Sequence, residues 1–117
     1  MTPFGQKIRK LRQKQGVTQN QMAQDLGVSP AYLSALEHGR RSRPSWALVQ
    51  NIISYFNIIW DEAEELEQLA RLSHPRIAID TAGLKPAATE LVNLLARDIS
   101  RLDDEKIAQL LKIVKES

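Results

Sequence analysis

Two short apolar runs stand back to back between residues 18 and 39, and they constrain the fold more than any other part of the chain. Thr18, with Gln21 three residues on, opens the first in a capping-box pattern. Met22, Ala23 and Leu26 form its apolar face, and Gly27 closes it. Ser29 then caps a second run that Pro30 starts, since a proline at the first helical position gives up an N–H that would be unpaired anyway. Leu33 and Leu36 point inward on it, Tyr32, Ser34, Ala35 and Glu37 are left to other faces, and Gly39 ends it. The spacing predicts two short helices joined by a tight turn at Gly27 and Val28.

Helical spacing continues through most of the remaining chain. Thr2 and Pro3 begin a first helix whose inner residues are Phe4, Ile8 and Leu11, whose opposite face carries Lys7, Lys10 and Lys14, and which Gly16 stops. Pro44 suits the first turn of a fourth helix with Trp46, Val49, Ile53 and Phe56 as its stripe. Ile59, Ala63, Leu66 and Ala70 predict a fifth, with Asp61, Glu62, Glu64, Glu65 and Glu67 on its outer side. Residues 74–86 lose this periodicity between prolines and read as a linker, with room for a brief extended piece at 77–79. Pro86 restarts a helix lined by Val92, Leu95, Ile99 and Leu102 and widened by Leu91 and Leu94. Asp103, Asp104 and Glu105 then open a last one lined by Ile107, Leu110, Leu111 and Val114. The expected fold class is all-α: a five-helix domain over residues 1–73, the linker, and a helical pair over 87–117.

The charge balance is informative only when divided along the chain. Residues 1–60 hold eight basic groups and two acidic ones, net +6, whereas residues 61–117 are net −4. A polyanion is therefore drawn to the first half and held off the second. Arg40, Arg41 and Arg43 concentrate this charge in one loop. The chain has no cysteine, which excludes a disulfide framework and a thiolate metal site and suits a cytoplasmic protein. No signal peptide is evident, and no apolar run approaches the roughly 20 residues of a membrane span.

The order of the second and third helices satisfies a helix-turn-helix, and the resemblance extends through residues 4–56. It is carried by Phe4, Gly5, Gln6, Lys7, Ile8, Arg9, Lys10, Leu11 and Arg12; by Thr18 and Gln19; by Met22 and Ala23; by Leu26, Gly27, Val28 and Ser29; by Leu33 and Ser34; and by Leu36, Glu37, His38, Gly39 and Arg40. Together these resemble the Xre family of bacterial and phage repressors, related to the phage lambda and 434 repressors and Cro proteins, which implies a lambda-repressor-like domain and a transcriptional regulator, by family habit a repressor. The resemblance makes Gln19 a phosphate ligand that braces the recognition helix, with Thr18 as its cap. It makes Ser29, Pro30, Ala31, Ser34 and Ala35 the outward positions of that helix. Tyr32 is left between a DNA contact and half-buried packing, and His38 stands where it can touch phosphate. Arg40, Arg41 and Arg43 match a loop that grips the sugar-phosphate backbone. Where family members often place glutamine, arginine or lysine for bidentate base contact, this chain has Pro30, Ala31 and Ala35. Phosphate contacts and DNA shape are then expected to carry much of the recognition. Glu37 is expected to accept hydrogen bonds near the following turn.

Other chemistries find little support. His38 and His74 are far apart and lack matched carboxylates, so no metal, cofactor or catalytic role is expected. No phosphate-cradling glycine loop or nucleophile elbow occurs, and the acids from Asp61 to Glu67 read as a solvated helix face. Phe4, Trp46, Phe56 and Trp60 read as core. The apolar surface of Val92, Leu95, Ile99, Leu102, Ile107, Leu110, Leu111 and Val114 exceeds what two short helices bury against each other, which points to a homodimer. The partners expected are double-stranded DNA and a second copy. The alternative is a DNA-binding antitoxin or adaptor whose C-terminal region binds a partner protein.

Overall fold

A computed structural model describes residues 1–40 and 43–117. It contains seven α-helices, α1 (Pro3–Gln15), α2 (Gln19–Leu26), α3 (Pro30–Glu37), α4 (Trp46–Phe56), α5 (Trp60–Arg71), α6 (Pro86–Asp98) and α7 (Asp104–Lys115), with a 3-10 turn at Ile99–Arg101 and no strand among the described residues. The chain divides into two compact units, Met1–Ile77 and Ala78–Ser117.

Local chemistry accounts for most helix boundaries in the first unit. The hydroxyls of Thr2, Thr18 and Ser29 accept from the backbone N–H of Gly5, Gln21 and Tyr32, each satisfying a donor that the helix itself leaves open. Gly27 ends α2 at φ 74°, where a side chain would strain the backbone, and its N–H closes on Ala23 and Gln24. Only half of the expected capping box forms, because the Gln21 side chain turns to Asp25 (2.8 Å). Pro44 lies outside α4: the helix begins at Trp46, and Ser45 caps it by accepting from the Leu48 N–H.

The core of this unit is built from Phe4, Ile8 and Leu11 of α1, Met22 and Ala23 of α2, Leu33 and Leu36 of α3, Leu48, Val49, Ile52 and Phe56 of α4, and Leu66 and Ala70 of α5. Packing turns α4 part-way from its expected stripe, keeping Val49 and Phe56 inside, whereas α5 buries Leu66 and Ala70 as expected and departs only at its head. On α4 the buried line runs through Leu48 and Ile52, leaving Trp46 60% exposed. At the head of α5, Trp60 is 81% exposed at φ 54° and Ile59 is also exposed, so neither tryptophan belongs to the core. Lys7 turns from the open face of α1 to α5, 3.8 Å from both Glu62 and Glu65. The Phe4 N–H donates to the buried Ser73 hydroxyl (2.9 Å), which donates in turn to the Leu69 carbonyl, so the end of α5 is tied to the start of α1.

Tyr55 on α4 donates to Asp25 on α2 (2.6 Å). Burial first, and then the hydrogen bond to Asp25 and its charge, push the phenol up to about 12. Because the folded value lies above the unfolded value of about 10, the contribution of this bond is complete below pH 10 and is lost as pH rises through 12. Unfolding followed between pH 9 and 12 should show a steeper alkaline loss of stability in the wild type than in Tyr55→Phe.

In the second unit, Asp103 caps α7 by accepting from the Lys106 N–H (2.8 Å). α6 ends at Asp98, so Ile99 falls in the 3-10 turn and Leu102 in extended backbone rather than on the helix with Val92 and Leu95. Residues 77–79 join no strand ladder.

Candidate nucleic-acid interface

Glu37 organises the α2 and α3 pair from inside. It was expected to accept hydrogen bonds near the following turn; it does accept them, but from two other helices, and it is 0% exposed. One carboxylate oxygen accepts from the Arg12 guanidinium of α1, and the other accepts from Gln19 Nε2 of α2 at 2.7 Å. A buried carboxylate is tolerated when a cation and a hydrogen-bond donor compensate it, and here the two compensating groups come from two different helices. The Glu37 carbonyl also accepts from the Thr2 N–H (3.0 Å). Gly5 permits this approach of α1 to α3: a Cβ there would lie 2.7 Å from the Glu37 Cα and carbonyl carbon, and closer still to its oxygen.

With one side of α3 held in this way, its opposite end is open. Ser29, Pro30 and Ala31 are exposed at the N-terminus, Ser34 and Ala35 are half-buried, and Tyr32 is half-buried against the core. Thr18 is exposed at the cap of α2, and Gln19 beside it is half-buried in its bond to Glu37. At the other end of α3, His38 is exposed with Nδ1 2.8 Å from the Ser34 carbonyl, and Arg40 is exposed with its N–H bound to the Ala35 carbonyl. Arg43 is exposed, and Arg41 lies outside the described residues. Ser29 and Tyr32 share an open depression of about 410 Å³ with Ser45, Ala47, Leu48 and Asn51. The first turn of α4 thus lies on the same rim as the first turn of α3. Sequence reasoning missed this contribution because it began α4 at Pro44; Ser45, a hydroxyl two residues after Arg43, was the available signal.

The electrostatic layout is polarised. Arg12 and Lys7 are engaged by acids within the unit, whereas Arg9, Lys10, Lys14, Arg40 and Arg43 are exposed with no carboxylate within 4.0 Å among the described residues. Asp61, Glu64, Glu65 and Glu67 line a depression on α5 with Gln68 and Arg71, and Glu67 and Arg71 also line a second one that Arg43 borders. An anionic rod is favoured by an exposed helix N-terminus and by arginines without an acidic partner, and disfavoured along the acidic side of α5. Among the described residues no cluster of three metal-ligating side chains occurs, and no helix is long and apolar enough to cross a membrane.

A family model described as a helix-turn-helix domain matches residues 3–66, more than half of the chain. The chain belongs to this family. Its helix-turn-helix domain is Xre-like, with α2 and α3 as the two helices of the motif. Three curated relatives come from Bacillus subtilis (strain 168). The chain is 34% identical over 61 residues to the uncharacterized HTH-type transcriptional regulator RghRB, covering 52% of this chain and 44% of the relative. It is also 34% identical over 61 residues to the HTH-type transcriptional repressor RghR, covering 52% and 45%. It is 39% identical over 59 residues to the uncharacterized HTH-type transcriptional regulator YazB, covering 50% and 84%. The chain therefore spans less than half the length of the first two. No solved structure gives a significant match.

Proposed function

We propose that this helix-turn-helix chain is a sequence-specific regulator of transcription, a repressor that binds double-stranded DNA as a homodimer with α3 in the major groove. The observation that carries the reading is the asymmetry of α3. Leu33, Leu36 and Glu37 are buried, with Glu37 held by Arg12 and Gln19, while Ser29, Pro30 and Ala31 are presented to solvent at the N-terminus. A recognition helix needs such a rigid back and an open front. Thr18, Gln19, His38, Arg40, Arg41 and Arg43 are assigned to phosphate, and Tyr32 to the edge of the contact. Ala31 and Ala35 offer methyl contacts, Ser34 a single hydroxyl, and none supplies a bidentate pair, so base readout is modest and DNA shape and half-site spacing supply the remainder. The repressor assignment follows the printed name of RghR. A DNA-binding regulator of this kind acts in the cytoplasm.

Selection of bound sequences from random duplex DNA tests the reading, with enrichment of a two-fold symmetric motif as the expected result. A normally folded protein that enriches no motif would refute sequence-specific binding. Arg40→Ala and Arg43→Ala should weaken binding to every sequence alike and lower the salt slope by about one unit per lost phosphate contact. Substitutions at Ala31 or Ser34 should instead change which sequences are preferred.

A further inference from the structure

No residue between 78 and 117 is buried. Val92, Leu95, Leu102, Ile107 and Leu110 are half-buried, but Leu91, Leu94, Ile99, Leu111, Ile113 and Val114 are exposed, the last at 71%. A unit of about 40 residues stands at the size below which disulfides, a metal or association are usually required for stability. The chain has no cysteine, and among the described residues no three-residue metal cluster occurs, so association is the route that its residues support.

Charge indicates what associates. α7 opens with Asp103, Asp104 and Glu105 and closes with Lys112 and Lys115. Two copies of α7 side by side in parallel would stack acids on acids, whereas an antiparallel pair brings each acidic first turn toward the basic last turn of the other. Residues 78–117 carry six basic and seven acidic groups, net −1, so a second copy satisfies them without a partner of opposite charge.

We infer that residues 78–117 acquire their apolar core only between two copies of this chain, with the two α7 helices antiparallel across a two-fold axis. This rests on the homodimer proposed above and goes beyond it, because folding of the unit becomes coupled to dimerisation. The apolar side chains that close the core are then the exposed six as well as the half-buried ones.

All six aromatic residues of the chain lie at or before Trp60, so near-ultraviolet dichroism reads the first unit alone. The full chain should sediment as a dimer at micromolar concentration and lose up to about a third of its far-ultraviolet helical signal on dilution, the share held by α6 and α7. The double variant Leu111→Asp with Val114→Asp should be monomeric, lack that third, and keep its near-ultraviolet spectrum. A spin label on a single introduced cysteine, Glu105→Cys, should show copies about 14 Å apart along the axis of the 12-residue helix and roughly 17 Å apart overall, rather than the roughly 10 Å of a parallel pair. A monomeric wild type whose helicity ignores dilution, a variant that stays dimeric, or the short label distance would each overturn the inference. None of these measurements uses DNA, so their failure leaves the DNA reading standing. A dimer that enriches no motif would do the reverse.

Discussion

Replacing Arg12 by alanine is expected to destabilise the first unit by about 3–5 kcal/mol, the usual cost of leaving one member of a buried ion pair uncompensated. Glu37 is wholly buried and the Arg12 side chain only 11% exposed, so water cannot readily take over from the guanidinium. Gln19 alone would remain on the carboxylate. Since domains are commonly stable by only about 5–15 kcal/mol, a loss of this size brings the unit near unfolding at room temperature. Removing both charges should cost much less. In Arg12→Met with Glu37→Leu the desolvation penalty of both ions disappears, including that of Arg12 Nε, which is buried without a hydrogen-bond partner among the described residues. Urea denaturation of the three proteins tests this. If the single substitution were as mild as the double, Glu37 would not depend on Arg12.

Gly5→Ala should also be strongly destabilising, although alanine is the better helix former by about 0.5–1 kcal/mol at an ordinary helical position. The added methyl would fall 2.7 Å from the Glu37 Cα and carbonyl carbon. These are backbone atoms and cannot turn aside, so α1 and α3 must separate. Overpacking of this kind costs about 1–3 kcal/mol, and here it also strains the Thr2 N–H bond to Glu37 and the Arg12 pair. The denaturation midpoint should fall, and DNA affinity should fall with it because α3 is displaced. An unchanged midpoint would show that the approach of the two helices is not tight.

These substitutions mark where sequence reasoning stops. Gly5 was read as one residue of a familiar run and Glu37 as a group serving the next turn, because each acts on a residue distant in sequence: Gly5 on Glu37, and Glu37 on Arg12 and Gln19. Periodicity also placed Trp46 and Trp60 inside, since large aromatic side chains at apolar spacing are usually core. It had no means of knowing that Leu48 and Ile52 already fill the space beneath α4. The excess of positive charge in the first half was correctly counted, yet two of those cations, Lys7 and Arg12, are engaged by carboxylates of other helices.

The short-range features are written in the residues nearest to them. Thr2, Thr18, Ser29 and Asp103 cap their helices and Gly27 turns the chain, because each of these interactions closes within a few residues and depends on no partner elsewhere. The helix-turn-helix was legible for the same reason. Tertiary structure alone decided which face of α4 is buried, that Glu37 joins α1 and α2 to α3, and that the first turn of α4 shares a rim with the front of α3. These outcomes depend on helices competing for one small core, where the free energy of burying a side chain is set by what its neighbours leave unfilled.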